Sequence, residues 1–255
     1  MFEAIILGIV QGVTEFLPVS STAHLILFPW IFGWEGSVDT LTFDIALHAG
    51  TLCALLLCFW RDWLDLFLRK QKLLGLIVLA TVPGGVAGYF LNDIVEHSLR
   101  SPVLISIMLI VVGIIMLLAE KNLKKKSMET IGFQDALLIG IAQALAIVPG
   151  VSRSGITISA GLFTGLKREE AARFSFLLST PLIAGATLLH GKKAFFGEVN
   201  HDIILFGAGL SASFITGYFA IKFLLGFLKR YPMNIFVYYR FVLSVGIMAG
   251  IWLKG

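Results

Sequence analysis

Two apolar stretches, residues 2–33 and 133–166, limit what this chain can fold into. A helix needs about 20 apolar residues to cross roughly 30 Å of hydrocarbon, so each stretch is too long for one crossing and too short for two crossings with a loop. Each is also broken midway by proline and serine, at "EFLPVSS" and "IVPGVSRS". Such breaks interrupt the helical hydrogen-bond ladder. Each stretch therefore predicts a re-entrant hairpin of two half-helices. Six unbroken apolar runs, at 43–60, 73–91, 103–119, 172–190, 203–226 and 236–253, predict spanning helices.

The chain is 57% hydrophobic and 14% charged, which excludes an ordinary soluble domain. The runs lack the alternation of a membrane barrel. The fold class is an all-α integral membrane protein, one membrane domain over 1–255. The start "MFEAIILG" has an acid and no basic n-region, so the first apolar segment reads as part of the mature protein rather than as a cleaved signal. Cys53 and Cys58 lie five apart in an apolar run, a spacing that fits neither a metal pair nor a disulfide within one helix, and they read as packing residues. The net charge of +4 is modest and gathered in short loops, which argues against nucleic acid as a partner.

Those loop charges predict orientation. Arg61, Arg69, Lys70 and Lys72 mark one loop and Lys121, Lys124, Lys125 and Lys126 another. Both are expected in the cytoplasm, as are Lys167, Arg168, Arg173, Lys229 and Arg230. Lys192 and Lys193 are exceptions. The two spans between the first loops are joined on the far side by "NDIVEHSLRS". Both termini then face outside, with the first hairpin entering from outside and the second from the cytoplasm.

The hairpins resemble each other. "GIVQGVTEFLPVSSTAH" aligns with "GIAQALAIVPGVSRSGI" at a constant offset that pairs Gln11 with Gln143 and Ser20 with Ser152. A weaker echo pairs "FDIALHAGT" with "FSFLLSTPL". Each half is thus one re-entrant hairpin plus three transmembrane helices, about 1–119 and 133–255. An odd number of crossings inverts the second half, and inverted-topology repeats form their sites near the midplane.

Non-helical backbone at membrane depth is tolerated where it lines a cavity. After each break a half-helix begins, so its free N–H groups and positive dipole end face that cavity, as a phosphate site requires. Ser20, Ser21, Ser152 and Ser154 stand where caps or ligand donors would be. Gln11 and Glu15 share one helix face, Ser21 and His24 the next. A charge at bilayer depth costs about 2.5–3.5 kcal/mol on insertion scales, so Glu15 requires a partner. Arg153 at the opposing tip is that partner, directly or across a bound phosphate or metal, and its fork suits a tetrahedral oxyanion. Asp44 and His48 read as cavity wall or outer layer, and Gln143 as a packing or hydrogen-bond counterpart of Gln11. Arg240 in "VYYRFVL" reads as structural, with snorkelling or a carboxylate partner as the other options.

At "QGVTEFLPVSSTAH" and "PGVSRSGIT" the chain resembles the undecaprenyl pyrophosphate phosphatase family, associated with bacitracin resistance. The family's signatures are an (E/Q)xxxE segment running into PxSSTxH, and PGxSRSxxT. "FDIALHAGT" and "ARFSFLLSTP" also look like it, and the likeness covers essentially the whole chain. The resemblance implies dephosphorylation of a C55 isoprenyl pyrophosphate to the monophosphate carrier of cell-wall synthesis, at the outer face of the bacterial inner membrane. It implies Glu15, Ser21, His24 and Arg153 as the essential group. Gln11, Ser20, Thr22, Ser152, Ser154 and Thr157 would surround the phosphates. A divalent cation, Mg2+ or Ca2+, is implied as well. Gln11 takes the amide option, leaving Glu15 the sole acidic metal ligand of the motif. The partners implied are the polyprenyl pyrophosphate lipid and the membrane, with a homodimer left open. Ser21 attack with His24 handling a proton is the favoured chemistry, and His24 as nucleophile or activator of water the alternative. A lipid-phosphate transporter or flippase is the rival class, because inverted repeats with re-entrant hairpins also build transporters.

Overall fold

A computed structural model describes residues 1–38, 40–122, 125–196 and 202–254. Among the described residues the chain forms ten α-helices. They are α1 (Phe2–Phe16), α2 (Ser21–Phe32), α3 (Leu41–Leu68), α4 (Gln71–Ser98), α5 (Pro102–Glu120), α6 (Phe133–Leu145), α7 (Arg153–Phe163), α8 (Arg168–Phe196), α9 (Ile203–Leu228) and α10 (Asn234–Lys254). Six of them, α3, α4, α5, α8, α9 and α10, are long and apolar enough to cross a membrane. The chain is a multi-pass membrane protein. Its outer surface agrees: Ile107, Ile110, Val111 and Ile114 of α5 and Val242, Val245 and Met248 of α10 are exposed, which suits lipid and not water.

The helix limits follow local chemistry. Pro102 opens α5, where its missing N–H costs nothing. Asp202 caps α9 by accepting from the N–H groups of Ile204 and Leu205 at 3.1 and 3.0 Å. The expected span 43–60 stops where α3 kinks at Phe59, and the helix continues beyond the kink through Asp62 and Asp65 to Leu68. Arg61 therefore stands on helix rather than loop, stacked over Trp60 at 5.1 Å. The predicted outer loop "NDIVEHSLRS" is a correction of the same kind, since α4 continues to Ser98. Cys58 packs against the core as expected, whereas Cys53 is exposed on the outer face of α3, because five residues of helix turn the two to different sides.

The basic segments gather at one end of the bundle. Lys70 meets Glu129 at 2.7 Å, Arg168 meets Glu120 at 2.7 Å, and Lys229 meets Glu169 at 3.0 Å. Glu120 also accepts from Met233 N–H at 2.9 Å, and the N–H groups of Lys125 and Lys126 donate to Gly165 O. The connections α3–α4, α5–α6, α7–α8 and α9–α10 are thereby tied to one another. The Lys70 ammonium is held above its usual range and the Glu129 carboxyl below its own by their mutual hydrogen bond. Lys124 and the side chains of Lys192 and Lys193 lie outside the described residues.

Helix α1 lies in a seam against α9, and α3 flanks both. Glycine makes this approach possible. A Cβ on Gly12 would stand 1.9 Å from Thr216 Oγ1 and 2.5 Å from Ser213 O, and one on Gly50 would stand 2.3 Å from Leu210 O. Small residues let membrane helices meet where lipid supplies no hydrophobic drive. Gly12→Val is expected to lower the unfolding temperature in detergent by about 5–10 °C, through overpacking. Gly85→Val is the control, because nothing lies within 4 Å of its Cβ position. An unchanged transition in Gly12→Val would remove the seam as a stability determinant.

Candidate active site

Each break turns on a serine forced out of ordinary backbone. Ser20 has φ 75° and ψ 93°, and Ser152 has φ 70° and ψ 111°. Among the described residues these are the only non-glycine positions with positive φ. Such conformations cost about 1–3 kcal/mol each and persist where the surroundings impose them. Both serines cap the helix that follows: Ser20 Oγ accepts from Ala23 N–H at 3.4 Å and Ser152 Oγ from Gly155 N–H at 3.2 Å. The earlier N–H groups of α2 and α7 have no acceptor within their helices. They lie beside a cavity of about 350 Å³ lined by Glu15, Ser20, Ser21, Thr22, Ser152 and Arg153.

Glu15 is the centre of the polar cluster. Arg153 Nη2 donates to its Oε1, Gln11 Nε2 donates to its Oε2 at 3.0 Å, and Ser21 Oγ donates to the same Oε2 at 2.6 Å. Only 5% of the Glu15 side chain and 14% of the Arg153 side chain are exposed. A buried pair of this kind is tolerated because further hydrogen bonds occupy the carboxylate and the fork. Arg153 Nη1 reaches Ser179 O of α8 at 3.4 Å, which fixes the fork from behind.

The other expected residues stand around this centre in different ways. His24 donates from Nδ1 to Ser20 O at 2.7 Å, so its Nε2 accepts from Tyr239 of α10, also at 2.7 Å. A backbone carbonyl and a tyrosine, rather than Glu15, hold the imidazole. Ser154 donates to Leu17 O at 3.1 Å, joining the second break to the first. Thr157 donates to Arg153 O at 2.7 Å and shares a 2.6 Å hydrogen bond with Ser175 of α8. Gln11, His24, Ser154 and Thr157 thus surround the cluster, while the six residues above line the cavity.

His48 stands on the cavity wall with Nε2 3.7 Å from Glu15 Oε2, and Asp44 stands 3.9 Å from Arg100. Gln143 also lines the cavity, with its amide oxygen buried and unpaired among the described residues. Arg240 is wholly buried and bonds main-chain carbonyls, so neither snorkelling nor a carboxylate explains it. Tyr239 and Arg100 were not singled out from the sequence. The signal for Tyr239 was a hydroxyl-bearing residue near the start of an apolar span, next to a charged one.

Apolar residues complete the wall. Gly84 and Gly88 of α4, Ala144 of α6, Ile147 just after it, and Leu182, Ile183 and Ala186 of α8 line the same cavity. One chamber therefore has both polar and apolar residues in its wall.

The family model described as "Bacitracin resistance protein BacA" matches residues 4–246. The chain belongs to this family. Among the BacA relatives, the undecaprenyl-diphosphatase of Thermodesulfovibrio yellowstonii is 56% identical over 96% of this chain and 95% of its own length. That of Desulforudis audaxviator is 48% identical over 100% and 99%, and that of Pelotomaculum thermopropionicum 48% over 97% and 96%. The BacA match extends across both breaks.

Proposed function

We propose that this protein hydrolyses undecaprenyl pyrophosphate to undecaprenyl phosphate and inorganic phosphate, returning the lipid carrier to cell-wall synthesis and conferring bacitracin resistance. The observation that carries the reading is the serine hydroxyl donating to a buried carboxylate at 2.6 Å, beside an arginine and two helix N-termini. Ser21 Oγ attacks the terminal phosphorus while Glu15 takes its proton. The bond from phosphorus to the bridging oxygen breaks, and the lipid monophosphate leaves. Water then cleaves the phosphoserine, releasing inorganic phosphate and restoring Ser21. Arg153 and the N–H groups of α2 and α7 stabilise the equatorial oxygens. A lipid-phosphate carrier would need no hydroxyl poised on a carboxylate, which disfavours transport.

A divalent cation fits this donor set only as a partner of the substrate. Among the described residues no three His, Cys, Asp or Glu side chains cluster, but Glu15 and the buried, unpaired amide oxygen of Gln11 are hard oxygen donors. Mg2+ and Ca2+ complete such partial sets with phosphate oxygens and water. Bound there, the cation would neutralise pyrophosphate charge. Purified protein in detergent should release phosphate from C55 pyrophosphate; absence of release with Mg2+ or Ca2+ present would overturn the proposed activity.

The two halves are read as an inverted-topology repeat in the bacterial inner membrane, with the cavity open to the outer side. Packing supports this: α1 lies on α9 as α6 lies on α4, and α3 meets α9 as α8 meets α4. The shared backbone of Ser20 and Ser152 supports it too, and makes Ser21 and Arg153 equivalent first residues of α2 and α7. In intact cells, cysteines introduced as Lys70→Cys and Lys125→Cys should resist an impermeant thiol reagent. Ready labelling of both would reverse the orientation.

A further inference from the structure

We infer that Arg240 is a positioning residue that sets the separation of Ser21 and Arg153 by gripping both breaks at once; this rests on the proposed phosphatase reading. Its Nη1 donates to Pro18 O at 3.3 Å, three residues before Ser21. Its Nη2 donates to Gly150 O at 2.8 Å and Val151 O at 3.3 Å, just before Arg153. The same guanidinium reaches α5 through Nε to Leu109 O at 3.0 Å and Nη2 to Met108 O at 3.2 Å. A wholly buried cation is thus surrounded by carbonyl dipoles from two turns and one helix, α5.

The turns need such a restraint. Both carry strained serines, and non-helical carbonyls at membrane depth require donors. A planar fork is the side chain that can serve several carbonyls in fixed directions, whereas an ammonium is a point charge. The support beneath it is rigid, because Ser106 and Ser244 share a 2.6 Å hydrogen bond between α5 and α10. Gly150 at φ 93° lets the second break press onto α5, where a Cβ would stand 2.7 Å from Ile105 O. The neighbouring Tyr239 holds His24, so consecutive residues of α10 address both sides of the first break.

The test is kcat and KM per folded molecule for Arg240→Lys, alone and combined with Arg153→Lys, on a C15 isoprenyl pyrophosphate in detergent. Displacing reacting groups by about 1 Å costs about 100-fold, so Arg240→Lys should lower kcat by about that factor with KM within about threefold. In its background the further loss from Arg153→Lys should shrink from about 100-fold to under about tenfold, because residues acting as one unit are non-additive. A purely structural role would lower the folded yield or unfolding temperature and leave kcat per folded molecule, and the Arg153→Lys factor, unchanged. Either of those last two results overturns the inference. If Arg240→Lys does not fold, Arg240→Gln is read against the same thresholds, and failure of both to fold assigns Arg240 to stability alone. Wild-type protein runs alongside: no phosphate from it defeats the phosphatase reading, whereas normal release with unaltered variants defeats this one.

Discussion

Ser21→Ala is expected to lower kcat by at least about 1,000-fold while KM stays within about threefold. The hydroxyl adds little to ground-state binding, and its loss removes the atom that would form the bond to phosphorus. Ser21 donates to Glu15 at 2.6 Å, so its proton already lies on the path to a carboxylate. His24 is engaged with Ser20 O and Tyr239, and its removal should act through the backbone of the first break. His24→Ala is therefore expected to lose less than Ser21→Ala. Steady-state kinetics on folded protein at saturating substrate decides between the two. If Ser21→Ala keeps a tenth or more of wild-type kcat while His24→Ala is inactive, histidine carries the first step and the serine only binds phosphate. Labelled phosphate trapped on Ser21 would support the covalent route independently.

Arg153→Lys should lower kcat by about 100-fold although the charge is retained. The fork serves Glu15 through Nη2 and Ser179 O through Nη1, and this fixed plane presents its donors to the cavity. An ammonium on a shorter reach can satisfy Glu15 or a phosphate oxygen, but not in the same geometry. Arg153→Ala should be worse, since it also strands a buried carboxylate and costs about 3–5 kcal/mol of stability. Measuring kcat with the unfolding temperature separates the two effects. Near-normal turnover in Arg153→Lys would leave Arg153 as a counter-charge for Glu15 alone.

The cavity wall combines polar and apolar residues. Glu15, Ser21 and Arg153 are among the first, and Gly84, Gly88 and Ala186 among the second. That combination suits a substrate with a pyrophosphate head and an isoprenyl tail. The two turns lie at helix N-termini within the bundle, and oriented N–H groups interact more strongly with an anion where water is scarce.

The sequence by itself determined the membrane class, the six spans and the two broken segments, because apolar length and interruption by proline are local properties. It also determined that Glu15 needs a cation from the opposing break, since an unpaired charge at that depth is too costly. Which atoms meet was decided only by tertiary structure. Ser21 and His24 are three apart on one helix, yet the strained backbone at Ser20 sends the hydroxyl to Glu15 while α10 draws the imidazole to Tyr239. Gln143 matched Gln11 in sequence, but the Gln11 amide donates to Glu15 whereas that of Gln143 reaches Ala80 O at 3.5 Å. The joining of both breaks by Arg240 was likewise hidden, because its acceptors are backbone carbonyls from three distant segments. A carbonyl has no residue signature, so only packing could show where that guanidinium ends.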